Sequence, residues 1–216
     1  MLSYRYPLIA REGAMWVVLL AVIAGVLQYL FGWLATPLWL AAIVGLFLYR
    51  DPARRVPAAP LGVVCPVDGE VGAVEEVDCP YLQQPAVRIL LRNMFFDVHS
   101  VHSPMEGKLL QEWFSSAGDS RGHAQWIQSD EGDDIVLVMA TRLKMLRPRC
   151  YAQPGERIGQ GQRCGYLHFG GVVEVWVPSK TRIAVKPGDR VVAGSDIIAN
   201  LVHEKGAVSA ATQETA

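Results

Sequence analysis

Hydrophobic and polar positions divide the chain into two regimes. From Ala14 to Tyr49 no residue carries a charge. One helix over that stretch would be about 54 Å long, well beyond a hydrocarbon core of about 30 Å. Thr36-Pro37 supplies a break, because proline lacks a donor and disfavours helix in the residue before it. The pattern predicts two helices, roughly 14–32 and 37–49, folded as a transmembrane hairpin, the second short enough to dip into a bilayer rather than cross it. Arg5 and Arg11 precede the pair, Arg50, Arg54 and Arg55 follow it, and nothing basic lies in the turn. The positive-inside rule then places both ends in the cytoplasm, with the body of the chain on the cytoplasmic side of the inner membrane. A cleaved signal peptide fits less well, since the apolar stretch is too long and no small-residue cleavage site precedes RDPARR.

Past residue 50 the pattern changes to short apolar runs punctuated by Gly, Pro and Asp: GVVCPVDGEVGAVEEV, AVRILLRNMFFDVHSVH, DIVLVMATRLKML, GVVEVWVP and RIAVKPGDRVV. Such runs read as strands and turns. PGERIGQG at 154–161 and PGDRVVAG at 187–194 repeat one turn–strand–turn unit, and VDGEVGAV at 67–74 reads as a looser third copy. The expected fold is mainly β: a compact barrel-sandwich-like domain behind the helical hairpin. The boundaries expected are a membrane anchor at 1–49, a linker at 50–60, the β domain at 61–205 and a flexible tail at 206–216.

Composition narrows the function classes. Of 216 residues 51% are hydrophobic, which excludes a disordered chain. Twenty basic and 21 acidic side chains give a net charge of −1 and no general drive toward nucleic acid. Cys65, Cys79, Cys150 and Cys164 are scattered without C-x-x-C or zinc spacing, so they read as reduced thiols, and no metal site is expected.

Three clusters could carry chemistry. Asp68, in Pro66-Val67-Asp68-Gly69, by itself is a turn residue capping its own backbone. His99 and His102 stand three apart in DVHSVHSP. In extended chain they face opposite sides, so lining one pocket needs a bend. They lack a nearby third metal ligand, and acid–base use suits imidazoles that titrate near neutral pH, with ordinary loop histidines as the alternative. Gly170-Gly171, in GYLHFGGVVEVWVP, reads as a sharp turn or as a close approach of another backbone.

Taken in order, FLYRDPARRVP, PVDGEV, HSVHSPMEG, GYLHFGGVVEVWVP and PGDRVVAGSDIIA resemble the phosphatidylserine decarboxylase family, in its short bacterial and archaeal layout, over nearly the whole chain. The resemblance implies conversion of phosphatidylserine to phosphatidylethanolamine and carbon dioxide. It implies a pyruvoyl group made when a serine attacks the preceding glycine carbonyl and the chain breaks. Matching the motifs, Asp68 and His102 would assist self-cleavage between 170 and 171. His99 would sit near the substrate carboxylate and protonate the carbanion. The partners implied are phosphatidylserine or a related aminophospholipid and the membrane, with a homodimer left open.

The serine position, however, holds Gly171. Glycine has neither a hydroxyl to form an ester nor a β-carbon from which to eliminate. Cys164 and Ser179 lie too far along the chain to replace it without shifting a strand. His168 and Val172 also depart from arginines in the family pattern. The expectation is therefore an uncut chain without a pyruvoyl group: an unprocessed enzyme of phospholipid biosynthesis, or a homologue that binds an aminophospholipid or a partner enzyme without chemistry. Arg142, Lys144, Arg147 and Arg149 read as a basic strand touching anionic headgroups, or as a solvated strand face. No lysine occupies the tip of either Pro-Gly repeat, which argues against a lipoyl-type carrier.

Overall fold

A computed structural model describes residues 9–115, 122–143 and 146–202. The tail expected at 206–216, and Lys144 among the basic residues, lie outside the described residues. The apolar segment forms α1 (Arg11–Phe31), a 3-10 turn (Gly32–Ala35) and α2 (Thr36–Leu48). The break thus falls before Thr36, not at Pro37. Gly32, at φ +62°, ends α1 in a left-handed conformation that glycine adopts without strain, and Pro37 sits in the first turn of α2, where a missing N–H costs nothing. Trp39 Nε1 donates to Gln28 Oε1 at 2.5 Å. The Ala10 N–H donates to the Tyr49 carbonyl at 2.7 Å, joining the two ends of the segment. Gly13 permits this closure, because a Cβ there would fall 1.9 Å from the Tyr49 ring. Arg11–Leu48 is long and apolar enough to cross a membrane, and only 6% of its most apolar window is buried within the protein.

Beyond it the described chain is β. The strands are β1 (Gly62–Val64), β2 (Gly69–Cys79), β3 (Gln84–Asn93), β4 (Ser100–His102), β5 (Gly107–Ser115), β6 (Gly122–Gln128) and β7 (Asp134–Thr141). They continue as β8 (Arg149–Cys150), β9 (Arg157–Ile158), β10 (Arg163–Tyr166), β11 (Gly171–Pro178), β12 (Arg182–Ile183), β13 (Arg190–Val191) and β14 (Ile197–Asn200). Eight form one antiparallel sheet in the order β13-β2-β3-β11-β7-β6-β5-β9; β1-β14-β12 and β4-β10-β8 form two small ones. Alternation along the strands sends Leu91, Met139, Val173 and Val175 into the core, while Arg88, Arg92, Val172 and Glu174 take the other face.

An internal two-fold organises the β domain, and it corrects the reading of the repeats. The segment 67–74 is not a third copy of the Pro-Gly unit but the strand that receives one. Gly188 N–H donates to the Val71 carbonyl at 2.8 Å, as Gly155 N–H donates to Leu109 at 2.7 Å. Gly194 N–H donates to Cys65 and Gly161 N–H to Ser103 in the same manner. The true partner of Pro66-Val67-Asp68-Gly69 is Pro104-Met105-Glu106-Gly107. The two turns exchange reciprocal bonds, from Val64 N–H to the Pro104 carbonyl (2.7 Å) and from His102 N–H to the Pro66 carbonyl (2.8 Å). His102 and Asp68 therefore occupy the places that Val64 and Glu106 hold in the other half.

The apolar segment is fastened to this body by buried charge. Arg163 pairs with Glu12 at 2.8 Å and with Asp51 at 3.1 Å, and the three side chains are 6, 4 and 3% exposed. Ser100 Oγ donates to Asp51 and the Tyr151 hydroxyl to Glu12. Removing one member leaves the others charged and desolvated, which costs about 3–5 kcal/mol. Arg163→Met is therefore expected to lower stability by that amount in denaturant unfolding of the detergent-solubilised chain, while Arg157→Met, at an exposed pair, leaves the unfolding midpoint nearly unchanged.

Candidate active site

The Asp68 turn lies where β2 leaves β1. Gly69 is required there, at φ +153°, since a Cβ would fall 2.1 Å from the Arg92 carbonyl. The Asp68 carboxylate is fully engaged: Oδ2 accepts from Arg54 Nη2 at 2.5 Å and Oδ1 from the Ala193 N–H at 2.7 Å. His102 comes to the same corner from β4. The last glycine of the second repeat, Gly194, makes room for both, its absent Cβ lying 3.2 Å from Arg54 Cβ and 3.6 Å from His102 Cδ2. Asp68, Arg54 and His102 thus gather around one turn.

Burial, reinforced by Arg54 and Arg163, pushes the His102 pKa down to about 4, so its imidazole is neutral at pH 7. Its Nδ1 has no hydrogen-bond partner among the described residues. His99 is buried beside Tyr166, with ring centroids 6.1 Å apart, and its Nδ1 donates to the Leu48 carbonyl at 3.3 Å. Burial lowers its pKa also. His168, edge-on to Tyr166 at 5.1 Å, is lowered by burial and then by Arg149.

Gly171 opens β11 between two strands, in register with Asn93 of β3 and Thr141 of β7. The chain enters it through two left-handed residues, Phe169 at φ +61° and Gly170 at φ +81°. A non-glycine residue held so costs on the order of 1–3 kcal/mol. The Gly170 carbonyl accepts from the Arg142 N–H at 3.2 Å. Both sequence readings of the double glycine hold: a sharp turn at 170 and a close approach at 171, where a Cβ would fall 2.1 Å from the Ala140 carbonyl oxygen. Cys164, the nearest thiol on the N-terminal side, is buried with its pKa pushed up to about 12, an inert thiol.

No hydrogen bond or ion pair among the described residues joins Asp68 or His102 to Gly170 or Gly171. The link is Asn93, which the sequence did not single out. Its Nδ2 donates to the Asp68 carbonyl at 2.7 Å and to the Val98 carbonyl at 2.9 Å, and its backbone pairs with Gly171. Arg54 was equally hidden, since RDPARR reads as a membrane flank. On the outer side of the sheet a depression of about 430 Å³ is bounded by Arg92, Met94, Ala140, Arg142, Gly171 and Val172. The basic residues do not form one strand. Arg142 follows β7 at this depression, Arg147 is exposed ahead of β8, and Arg149 begins β8.

Two outcomes follow. Gly171→Ala should lower stability by about 1–3 kcal/mol, because a methyl group must part β7 from β11; an unchanged urea midpoint would show that the strands open freely. His102 binds its proton less readily folded than unfolded, so its contribution is complete above about pH 6.5 and is lost as pH falls toward 4. His102→Gln should flatten the decline of stability across that window, as read from urea midpoints at each pH.

Three relatives carry the name phosphatidylserine decarboxylase proenzyme. The protein of Nitrosomonas europaea is 35% identical over 208 residues, covering 91% of this chain and 96% of the relative. That of Burkholderia ambifaria is 35% identical over 212 residues, covering 93% and 99%. That of Aromatoleum aromaticum is 33% identical over 212 residues, covering 92% and 98%. The family profile described as Phosphatidylserine decarboxylase matches residues 43–199. No solved structure matches.

Proposed function

Since this chain belongs to the phosphatidylserine decarboxylase family, we propose that it is a membrane-anchored protein of aminophospholipid metabolism whose maturation stops before chain cleavage. The family's reaction releases carbon dioxide from phosphatidylserine through a pyruvoyl group. The residues at 170–171 do not fit that group. Position 171 supplies no hydroxyl, and the space a serine Cβ needs is taken by the Ala140 carbonyl. This observation carries the reading, because it makes the obstacle one of backbone packing as well as one missing oxygen.

Around that position, other elements of the family's chemistry have counterparts. The Gly170 carbonyl accepts a backbone hydrogen bond from Arg142, the chain turns through a left-handed Phe169–Gly170 corner just before it, and His102 is held neutral as a proton acceptor must be. In this reading Asp68 acts by orientation: with Arg54 and the Ala193 N–H it fixes the corner against which His102 packs. His99, buried between Leu48 and Tyr166, stands nearest the apolar segment and serves the headgroup carboxylate. Arg11–Leu48 anchors the protein in the inner membrane, with the β domain on the cytoplasmic side, as the flanking arginines favour. Bound aminophospholipid is held without being decarboxylated.

The purified chain should show a single intact mass and gain none on treatment with cyanoborohydride and an amine. Two fragments with a break between 170 and 171, or a trapped imine, would overturn this reading.

A further inference from the structure

The last turn of α2 holds a carbonyl that its own helix cannot satisfy. Leu48 would accept from the N–H of the residue four places on, and that residue is Pro52, which has none. Its neighbours are met: the Gly45 carbonyl accepts from the Tyr49 N–H at 3.0 Å, and that of Phe47 from Arg50 Nη1 at 3.0 Å. The Leu48 carbonyl is met by His99, whose Nδ1 lies 3.3 Å away. A carbonyl only accepts, so the ring proton belongs on Nδ1. Burial lowers the His99 pKa and keeps the ring neutral, so Nε2 carries a lone pair. That atom has no hydrogen-bond partner among the described residues, although His99 is only 2% exposed. Tyr49 holds the carbonyl in place. Its own carbonyl accepts from the Ala10 N–H, and its ring lies against Gly13 of α1, where a Cβ would enter it. On the other side the Tyr49 ring stacks on Tyr166 of β10 at 6.3 Å, and the Tyr166 ring is also the one beside His99. The His99 backbone is fixed from the same direction, its carbonyl accepting from the Leu167 N–H at 2.8 Å.

We propose that Gly13 and Tyr49 are positioning residues for His99: they seat the end of α2 so that the Leu48 carbonyl selects the Nδ1–H tautomer and leaves Nε2 as the proton-accepting atom turned to a ligand. The bond made by one ring nitrogen decides which of the two carries the proton, and here the backbone of the apolar segment makes that bond. The proposal rests on the reading that His99 serves the ligand carboxylate. A carboxylate offers no proton, so Nε2 takes one from water to meet it, and the Leu48 carbonyl, at the negative end of α2, steadies the charged ring. Asp97 favours that added proton, while Arg50 and His168 oppose it. Helix seating and the protonation state of a buried imidazole are in this way one arrangement.

The test reads the ring nitrogens by magnetic resonance in the full chain, labelled with nitrogen-15 histidine and held in phosphatidylcholine nanodiscs above neutral pH. The His99 signals are assigned by their absence in His99→Gln, and they should show a protonated Nδ1 and a bare Nε2. Gly25→Ala, at an α1 position with open space around it, should keep that pattern. Gly13→Ala should lose most of the Nδ1–H form to the other tautomer, and so should Tyr49→Leu, which removes the ring contact without introducing a clash. The signals of His123, in β6, report in the same spectra that the β domain stays folded. An Nε2–H tautomer in the unsubstituted chain overturns the proposal, as does its Nδ1–H pattern persisting in both Gly13→Ala and Tyr49→Leu. Failure of the ligand reading looks different: phosphatidylserine added to the nanodisc would then leave Nε2 bare, with the tautomer and its response to the substitutions unchanged.

Discussion

The reciprocal hydrogen bonds between two proline turns, Val64 to Pro104 and His102 to Pro66, hold the β domain together at its centre. Each turn crosses the other and then launches a long strand, β2 or β5, whose edge is closed by one Pro-Gly unit, β13 or β9. Everything at the candidate site is placed by this crossing. It sets the Asp68 turn beside His102, and it directs β3 so that Asn93 reaches back to the Asp68 carbonyl while pairing with Gly171.

Electrostatics at the centre follow from the same packing. His102 sits between the crossing and two arginines, an environment that opposes a proton twice over, by desolvation and by like charge. Arg163 tolerates burial because Glu12 and Asp51 surround it, and this network extends from the β domain into the first turn of α1. The apolar segment is consequently tied into the folded body and is not a loose tether.

Much of this was legible in sequence. The uncharged stretch gave the apolar segment, alternation and turn residues gave a β fold, and the ordered clusters around Asp68, His99, His102 and Gly171 gave the family. What stayed hidden was relational. Thr36-Pro37 suggested the helix break, yet Gly32 makes it, because a left-handed backbone stops a helix before a proline can. The equivalence of PVDG and PMEG was invisible while VDGEVGAV was compared with the Pro-Gly units, since strand and closing turn share glycine and valine without sharing a role. Asn93 lies between an arginine and a methionine and carries no motif; only strand register puts it next to Gly171. The basic run from Arg142 to Arg149 looked like one strand because charge alternation continues beyond Thr141, where β7 ends.

The duplication carries its own internal reference. Val64 meets the same backbone crossing that His102 meets, in the same molecule, with no imidazole to desolvate. The architecture therefore closes satisfactorily on a hydrocarbon at that location, and burying a heterocycle in the second half is an extra burden that the topology does not demand. Comparing the two halves separates what the scaffold needs to fold from what one half has taken on for a purpose of its own.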